Sequence, residues 1–494
     1  MNYSKYILLI ILIVPFWGCD EFEEFNENPN EPTVVSADVL LPSAIRKSVN
    51  TTVDASFLVG NNAAQLTSKT LRLEVDSYNW NAFPSYWDGW YESLTDVNSL
   101  ERLAISAENE VLEAAAITLR SWIFANLTNA YGDIPYFQAL DGANNNFTPV
   151  YDDQSAIYAD LLSELERAST LLSTGNGSID GDILLNGDVN SWLKFTNSLR
   201  LRLLMTANNQ LSNAGTQFAD IVSSGNILSS NADNIVLTYT GSFPNEWPLM
   251  PLKIGDFDAV AISATALAAL EQTNDPRSSR YARPNSDDYS GNTLDFIGAI
   301  NGQGESCTKD GASRLGVQYY NYPGLTSASN LGLPIAEGII MTYAEVEFLL
   351  AEAAAKGWIN DDVETHYRAG IAASMEYNQV DLDPYGWTSF DDFYNNSGVA
   401  YSTVTDIWEQ KWLALFFHGL EPYFELRRWY FESDFSFDGL PFIDASCENL
   451  NGDRLPLKFL YPGEEQSLNA ENYNAVISRI GGSNDQNANI WLVQ

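Results

Sequence analysis

A chain of 494 residues with 65 acidic against 25 basic side chains has a net charge of −40, which excludes a broadly basic nucleic-acid surface and disfavours polyanionic partners. Apolar residues make up 45% of it, enough for a sizeable core in one large domain or in two to three smaller ones. Such an acid excess suits neutral or cationic ligands and a salty medium that screens self-repulsion.

The first 14 residues hold one cation, Lys5, and an apolar run over 6–14. That run has the length of a signal-peptide core and is too short to cross a bilayer. Phe16-Trp17-Gly18-Cys19 follows, and the chain then turns polar. A small residue before a cysteine at this place resembles a bacterial lipoprotein signal, with cleavage after Gly18 and acylation of Cys19. Phe16 and Trp17 depart from the usual pattern, and the alternative is an ordinary signal peptide that ends near a cysteine. Two or more acyl chains give stable anchoring, where one does not. Asp20-Glu21-Phe22-Glu23-Glu24 reads as a solvated acidic tether, or as a stretch resembling export signals to the outer face of the outer membrane. The expected division is a signal peptide at 1–18, a lipidated tether at 19–36 and one domain over 37–494. No later segment is apolar for long enough to be a transmembrane helix.

The period of the remaining chain is helical. Residues 108–130 carry Val111, Leu112, Ala115, Leu119, Trp122, Ile123 and Leu127 on one face, and Gly132 and Pro135 stop the pattern. Further amphipathic helices are predicted over 155–172, 188–205, 342–356, 364–377 and 404–417. The 342–356 and 364–377 pair has small residues at packing positions, among them Ala351, Ala353, Gly370 and Ala373. It looks like a degenerate tetratricopeptide unit, which would stack into a solenoid with a concave face. The predicted class is mainly α, a tetratricopeptide-like scaffold with long irregular loops and little β structure. The loops span 175–187, 229–256, 283–333 and 381–403, and loops of this length tend to be functional.

Three residue types bear on chemistry. Cys307 and Cys447 are expected to be independent thiols, with a disulfide as the alternative. His366 and His418 lack metal-ligand spacing and read as packing or capping residues. No nucleophile elbow or phosphate loop appears in its required context, so neither catalysis nor a cofactor is expected. Aromatics in polar loops form the third group, since sugars stack their C–H faces on such rings while Asn, Asp, Arg or Gln meet the hydroxyls. Arg72, Tyr78 and Trp80 fit that description, as do Trp247, Tyr320, Tyr322 and Trp387. The alternative is that these rings plug the scaffold. Trp87, Trp90, Trp122, Trp192, Trp358 and Trp412 read as core.

A series of motifs in fixed order resembles the SusD/RagB nutrient-binding outer-membrane lipoproteins of Bacteroidetes, and most closely their second SusD-like subgroup. The motifs are Phe25-Asn26-Glu27-Asn28-Pro29-Asn30, Leu40-Leu41-Pro42-Ser43-Ala44-Ile45, Tyr131-Gly132-Asp133-Ile134-Pro135-Tyr136 and the stretch from Trp192 to Arg202. Asp275-Pro276-Arg277, the stretch from Tyr343 to Ala353, Gly370 to Met375, Gln410 to Phe416 and Tyr461-Pro462-Gly463-Glu464-Glu465-Gln466 complete the set. Arg427-Arg428 departs from it, being followed by Trp429-Tyr430 where relatives carry a Thr-Gly turn. The resemblance implies a tetratricopeptide scaffold with a loop-rich ligand face. It also implies a SusC-like TonB-dependent transporter as partner, to which captured oligosaccharide passes. With the charge, it points to a neutral glycan, a β-glucan being the particular choice. A surface protein that binds a protein or peptide ligand is the alternative, and an exported glycoside hydrolase ranks behind both.

Overall fold

The computed structural model describes residues 36–240, 244–249, 252–284, 294–319 and 337–494. The proposed signal peptide and nearly all of the tether, with Cys19, lie outside them, as do Tyr320 and Tyr322.

The predicted helices are present, and side-chain caps open several of them. Asp188 accepts from Ser191 N at 2.6 Å and opens Val189–Thr206. Thr342 and Asp362 open Tyr343–Ala355 and Val363–Tyr377 in the same way. Glu110–Tyr131 and Gln154–Thr174 also stand within a few residues of expectation. The helix expected over 404–417 stops earlier, as Val404–Ala414, because Phe417 takes a left-handed φ of 68° before Gly419. Two long helices were not anticipated as such, Ala37–Ala55 with Pro42 inside it and Pro84–Ser106. Tryptophans 87, 90, 122, 192 and 412 are all buried, and Trp358 packs half-buried against Phe218.

Successive helices pack as neighbours: Ala37–Ala55 on Pro84–Ser106, that on Glu110–Tyr131, then Gln154–Thr174, then Val189–Thr206. This is the solenoid-like stacking that the helix pairs predict. Tyr343–Ala355 packs on Val363–Tyr377 and on Val404–Ala414. Gly370 is needed there, because a Cβ would stand 2.9 Å from the Phe348 ring. Leu350 and Ile371 are both buried, but on opposite sides of this layer. Leu350 faces the main core, which runs from Leu41 to Val493, and Ile371 joins a second cluster with Phe348, Phe393 and Ile407.

Strand structure is sparse. Two antiparallel ribbons occur among the described residues: β1 (Thr67–Lys69) with β3 (Val260–Ile262), and β2 (Ile235–Thr238) with β4 (Glu337–Met341). β2 and the short helix Phe390–Asn396 fall inside stretches read as loop, since four to seven residues show no period. Cys307 and Cys447 form a disulfide, Cα atoms 5.8 Å apart, so the expectation of independent thiols is corrected. Sequence could not bring together two positions separated by 140 residues; a parallel bridge between Gly302 and Cys447 does so.

Candidate ligand-binding site

The aromatic residues expected to stack on ligand are mostly in the core. Tyr78 is fully buried, its hydroxyl donating to Ala63 O at 2.9 Å and accepting from Gln65 Nε2. Trp80 is 5% exposed, its indole N–H donates to Val75 O, and Tyr423, Phe459 and Phe83 meet its ring edge-on at 5.2–5.9 Å. Trp247 is 1% exposed, donates to Tyr319 O at 2.8 Å and meets Tyr239 edge-on. Each ring satisfies its polar atom on a backbone carbonyl and packs against other rings, so it plugs the scaffold and offers no stacking face. Trp387 is half-buried at the second cluster, T-shaped on Phe393, with its N–H on Asn274 O. The expected residues are therefore not gathered into one site.

Arg72 is exposed, in a left-handed turn (φ 57°) directly beyond β1. The turn is stapled by Asp76, whose Oδ2 accepts from Ser68 Oγ at 2.7 Å, Lys69 N at 2.9 Å and Lys309 Nζ at 2.7 Å. Burial raises the Asp76 carboxyl, and Lys309 opposes that shift. Lys309 lies two residues beyond Cys307, so the disulfide holds the loop that supplies this cation.

Bridges Ala261–Arg314 and Ala282–Leu315 extend the β1–β3 ribbon, and Arg283 N donates to Arg314 O at 2.7 Å. Ser68, Ala261, Arg314 and Arg283 thus stand opposite one another on one face. Arg283 pairs with Asp258. Arg283 Nε and Arg314 Nη1 are buried and find no acceptor among the described residues. In a chain with 25 cations against 65 acids, two guanidinium donors left for the oxygens of a ligand or water are a local exception. Sequence reasoning named Arg72 here and missed Lys309, Arg283 and Arg314. The scarcity of cations was the signal that could have found them.

A cavity lined by Tyr319, Tyr377 and His418 has a volume of about 10 Å³, room for about one water. His418 is buried, with Nε2 3.2 Å from the Thr342 hydroxyl and Nδ1 3.1 Å from Phe416 O, and burial lowers its pKa to about 4. His366 Nδ1 lies 2.7 Å from Glu347 on the neighbouring helix. His418 is thus packed in the core, whereas His366 is half-buried between two carboxylates, Glu347 and Asp361.

With this geometry in view, the comparisons identify the family. Residues 29–462 match the second SusD-like family, described as starch-binding and associating with the outer membrane, and the chain belongs to that family. Among solved structures, a Bacteroides vulgatus outer-membrane protein whose description connects it with nutrient binding is 26% identical. Its TM-score is 0.75, over 93% of this chain and 100% of its own. A SusD homologue from Bacteroides fragilis shares the fold at 24% identity and TM-score 0.75, again over 93% and 100%. A chitin-binding SusD homologue from Flavobacterium johnsoniae shares it at 20% identity and TM-score 0.73, over 92% and 98%. None of the curated proteins compared with the chain matches it.

Proposed function

We propose that this protein captures glycan at the bacterial cell surface and passes it, uncleaved, to a SusC-like TonB-dependent transporter. The observation that carries the reading is the family match over residues 29–462, with its description as starch-binding at the outer membrane. The chitin-binding relative supports the same ligand class. Acyl chains on Cys19 hold the protein to the outer membrane, facing outward. No described helix is long and apolar enough to cross a membrane. The ligand is a neutral polymer, a β-glucan in the particular form, because a net charge of −40 repels sulfated or uronate chains. Arg72, Arg283 and Arg314 supply donors for sugar hydroxyls, and among the described residues Trp387 is the expected aromatic that keeps partial exposure.

Purified protein is expected to be retained on immobilised neutral polysaccharide without generating reducing ends, and Arg314→Ala to weaken retention by about 1.5–3 kcal/mol. Cells carrying Cys19→Ala should lose surface capture of the same polymer. New reducing ends, or retention only on peptide columns, would overturn the reading.

A further inference from the structure

At the opposite end of the helical stack from Ser36, the loop after Glu110–Tyr131 meets the start of Gln154–Thr174 and the chain's last residues. The helix Ala37–Ala55 runs antiparallel to Pro84–Ser106, as the Ser43–Asp96 and Lys47–Glu92 contacts show, and the Tyr131 hydroxyl donates to Phe83 O beside the start of the latter. At about 1.5 Å per residue, the 23 residues of Pro84–Ser106 place this end roughly 35 Å from where the tether joins. An open cleft of about 210 Å³ lies here.

We propose that this cleft is a second, membrane-distal sugar site that stacks one neutral pyranose of a glycan chain on Trp491. The inference rests on the glycan-binding reading above and adds a place and a contact to it. Trp491 is partly exposed in the cleft, with Tyr158 behind it at 5.4 Å. Its turn is fixed from both sides: Leu492 and Val493 are buried, Leu492 N donates to Gln154 Oε1, and Gln210 donates to Gln494 O at 2.8 Å. A ring held in place loses little freedom when a ligand arrives.

Polar groups of the required kind flank it. Arg479 Nη2 donates to Asp133 Oδ2 at 2.7 Å and to Tyr151 O at 2.9 Å, which fixes a planar guanidinium–carboxylate pair at the rim. The Ser155 and Asn489 side chains are exposed and make no hydrogen bond among the described residues. With Asp153 also present, the charged side chains lining the cleft are two carboxylates and one guanidinium, an excess of negative charge that favours an uncharged sugar over a uronate or sulfated one. The ring, the fixed ion pair and the free hydroxyl and amide together give a sugar its apolar face and its hydroxyl partners.

Isothermal titration with malto-, cello-, laminari- and chito-hexaose compares wild type, Trp491→Ala and Ser155→Trp. The second variant fills the cleft from an exposed helix position and leaves the C-terminal turn intact. For the hexaose that binds, both variants are expected to lose at least tenfold in affinity, or one site in stoichiometry, with thermal unfolding of Ser155→Trp unchanged. Binding unaffected in both variants overturns this inference alone. Loss in Trp491→Ala, accompanied by a lowered melting temperature and with Ser155→Trp unaffected, also overturns it. Absence of binding to every hexaose and to the polysaccharides overturns the glycan reading and this site with it.

Discussion

A buried indole needs an acceptor for its N–H, and the polar loops of this chain provide backbone carbonyls that serve. Trp80 and Trp247 illustrate how an aromatic in a polar stretch is drawn inward: Val75 O and Tyr319 O take their protons, and neighbouring rings cover the rest. His418 obeys the same economy at a titratable atom. It faces Glu345 and Arg202 across the Thr342 hydroxyl, and burial outweighs the carboxylate, so its pKa falls to about 4. A lowered histidine pKa means that the unfolded chain binds a proton the folded one refuses. Stability from this residue is present above about pH 6.5 and is lost as pH falls toward 4. Unfolding of wild type and His418→Gln across that window should show the wild type's advantage shrinking by roughly 3 kcal/mol at pH 4 relative to pH 7. A constant difference between the two would show that His418 does not titrate as stated.

Among the elements, helices with a clear apolar period were readable, because 3.6-residue spacing repeats over four or five turns. Tyr343–Ala355 is apolar almost all round, and the structure shows why: Leu350 serves the main core while Phe348 and Ala351 serve the second cluster. The helix is sandwiched, and each side depends on it. Leu350→Ala should cost about 2–5 kcal/mol, measured by urea unfolding, since the packed layers on either side limit collapse into the cavity. A loss below 1 kcal/mol would mean that this layer relaxes freely. The loops were less legible. Short strands such as Thr67–Lys69 take their definition from partners nearly 200 residues away, and a three-residue segment has no pattern of its own.

Over the whole molecule, the ordered motifs converge on a few buried ionic clusters. Arg202 makes a double contact with Glu345 at 2.6 Å, Lys411 pairs with Glu425 at 2.7 Å, and Arg428 binds Glu352 and Glu425. Arg277 joins Asp275, Gln410 and Ser374. Apart from Glu425, these residues come from five separate motif stretches and from Arg427-Arg428, so those stretches supply the buried ionic clusters of the scaffold. Removing one partner from such a buried pair would leave an uncompensated charge. The disulfide acts at the same scale, closing a loop of 140 residues in the unfolded chain. A Cys307→Ser, Cys447→Ser double variant should lose roughly 2–5 kcal/mol in denaturant unfolding and free the Lys309 loop. An unchanged midpoint would remove the disulfide from the account of stability.

The amino-acid sequence by itself determined the helical class, the helices with a clear apolar period and, through motif order, the family. Those features rest on local period or on residue identity, which a linear chain displays directly. Tertiary structure alone decided which aromatics face solvent, whether Cys307 and Cys447 meet, and where cations gather. Trp491 follows Ile490 and precedes Leu492, and Trp247 sits between Glu246 and Pro248, yet it is the ring in the apolar run that borders an open cleft and the one in the polar loop that is sealed by Tyr239 and Tyr319. Exposure depends on what a distant part of the chain places over a side chain, and that information appears only when the helices have stacked.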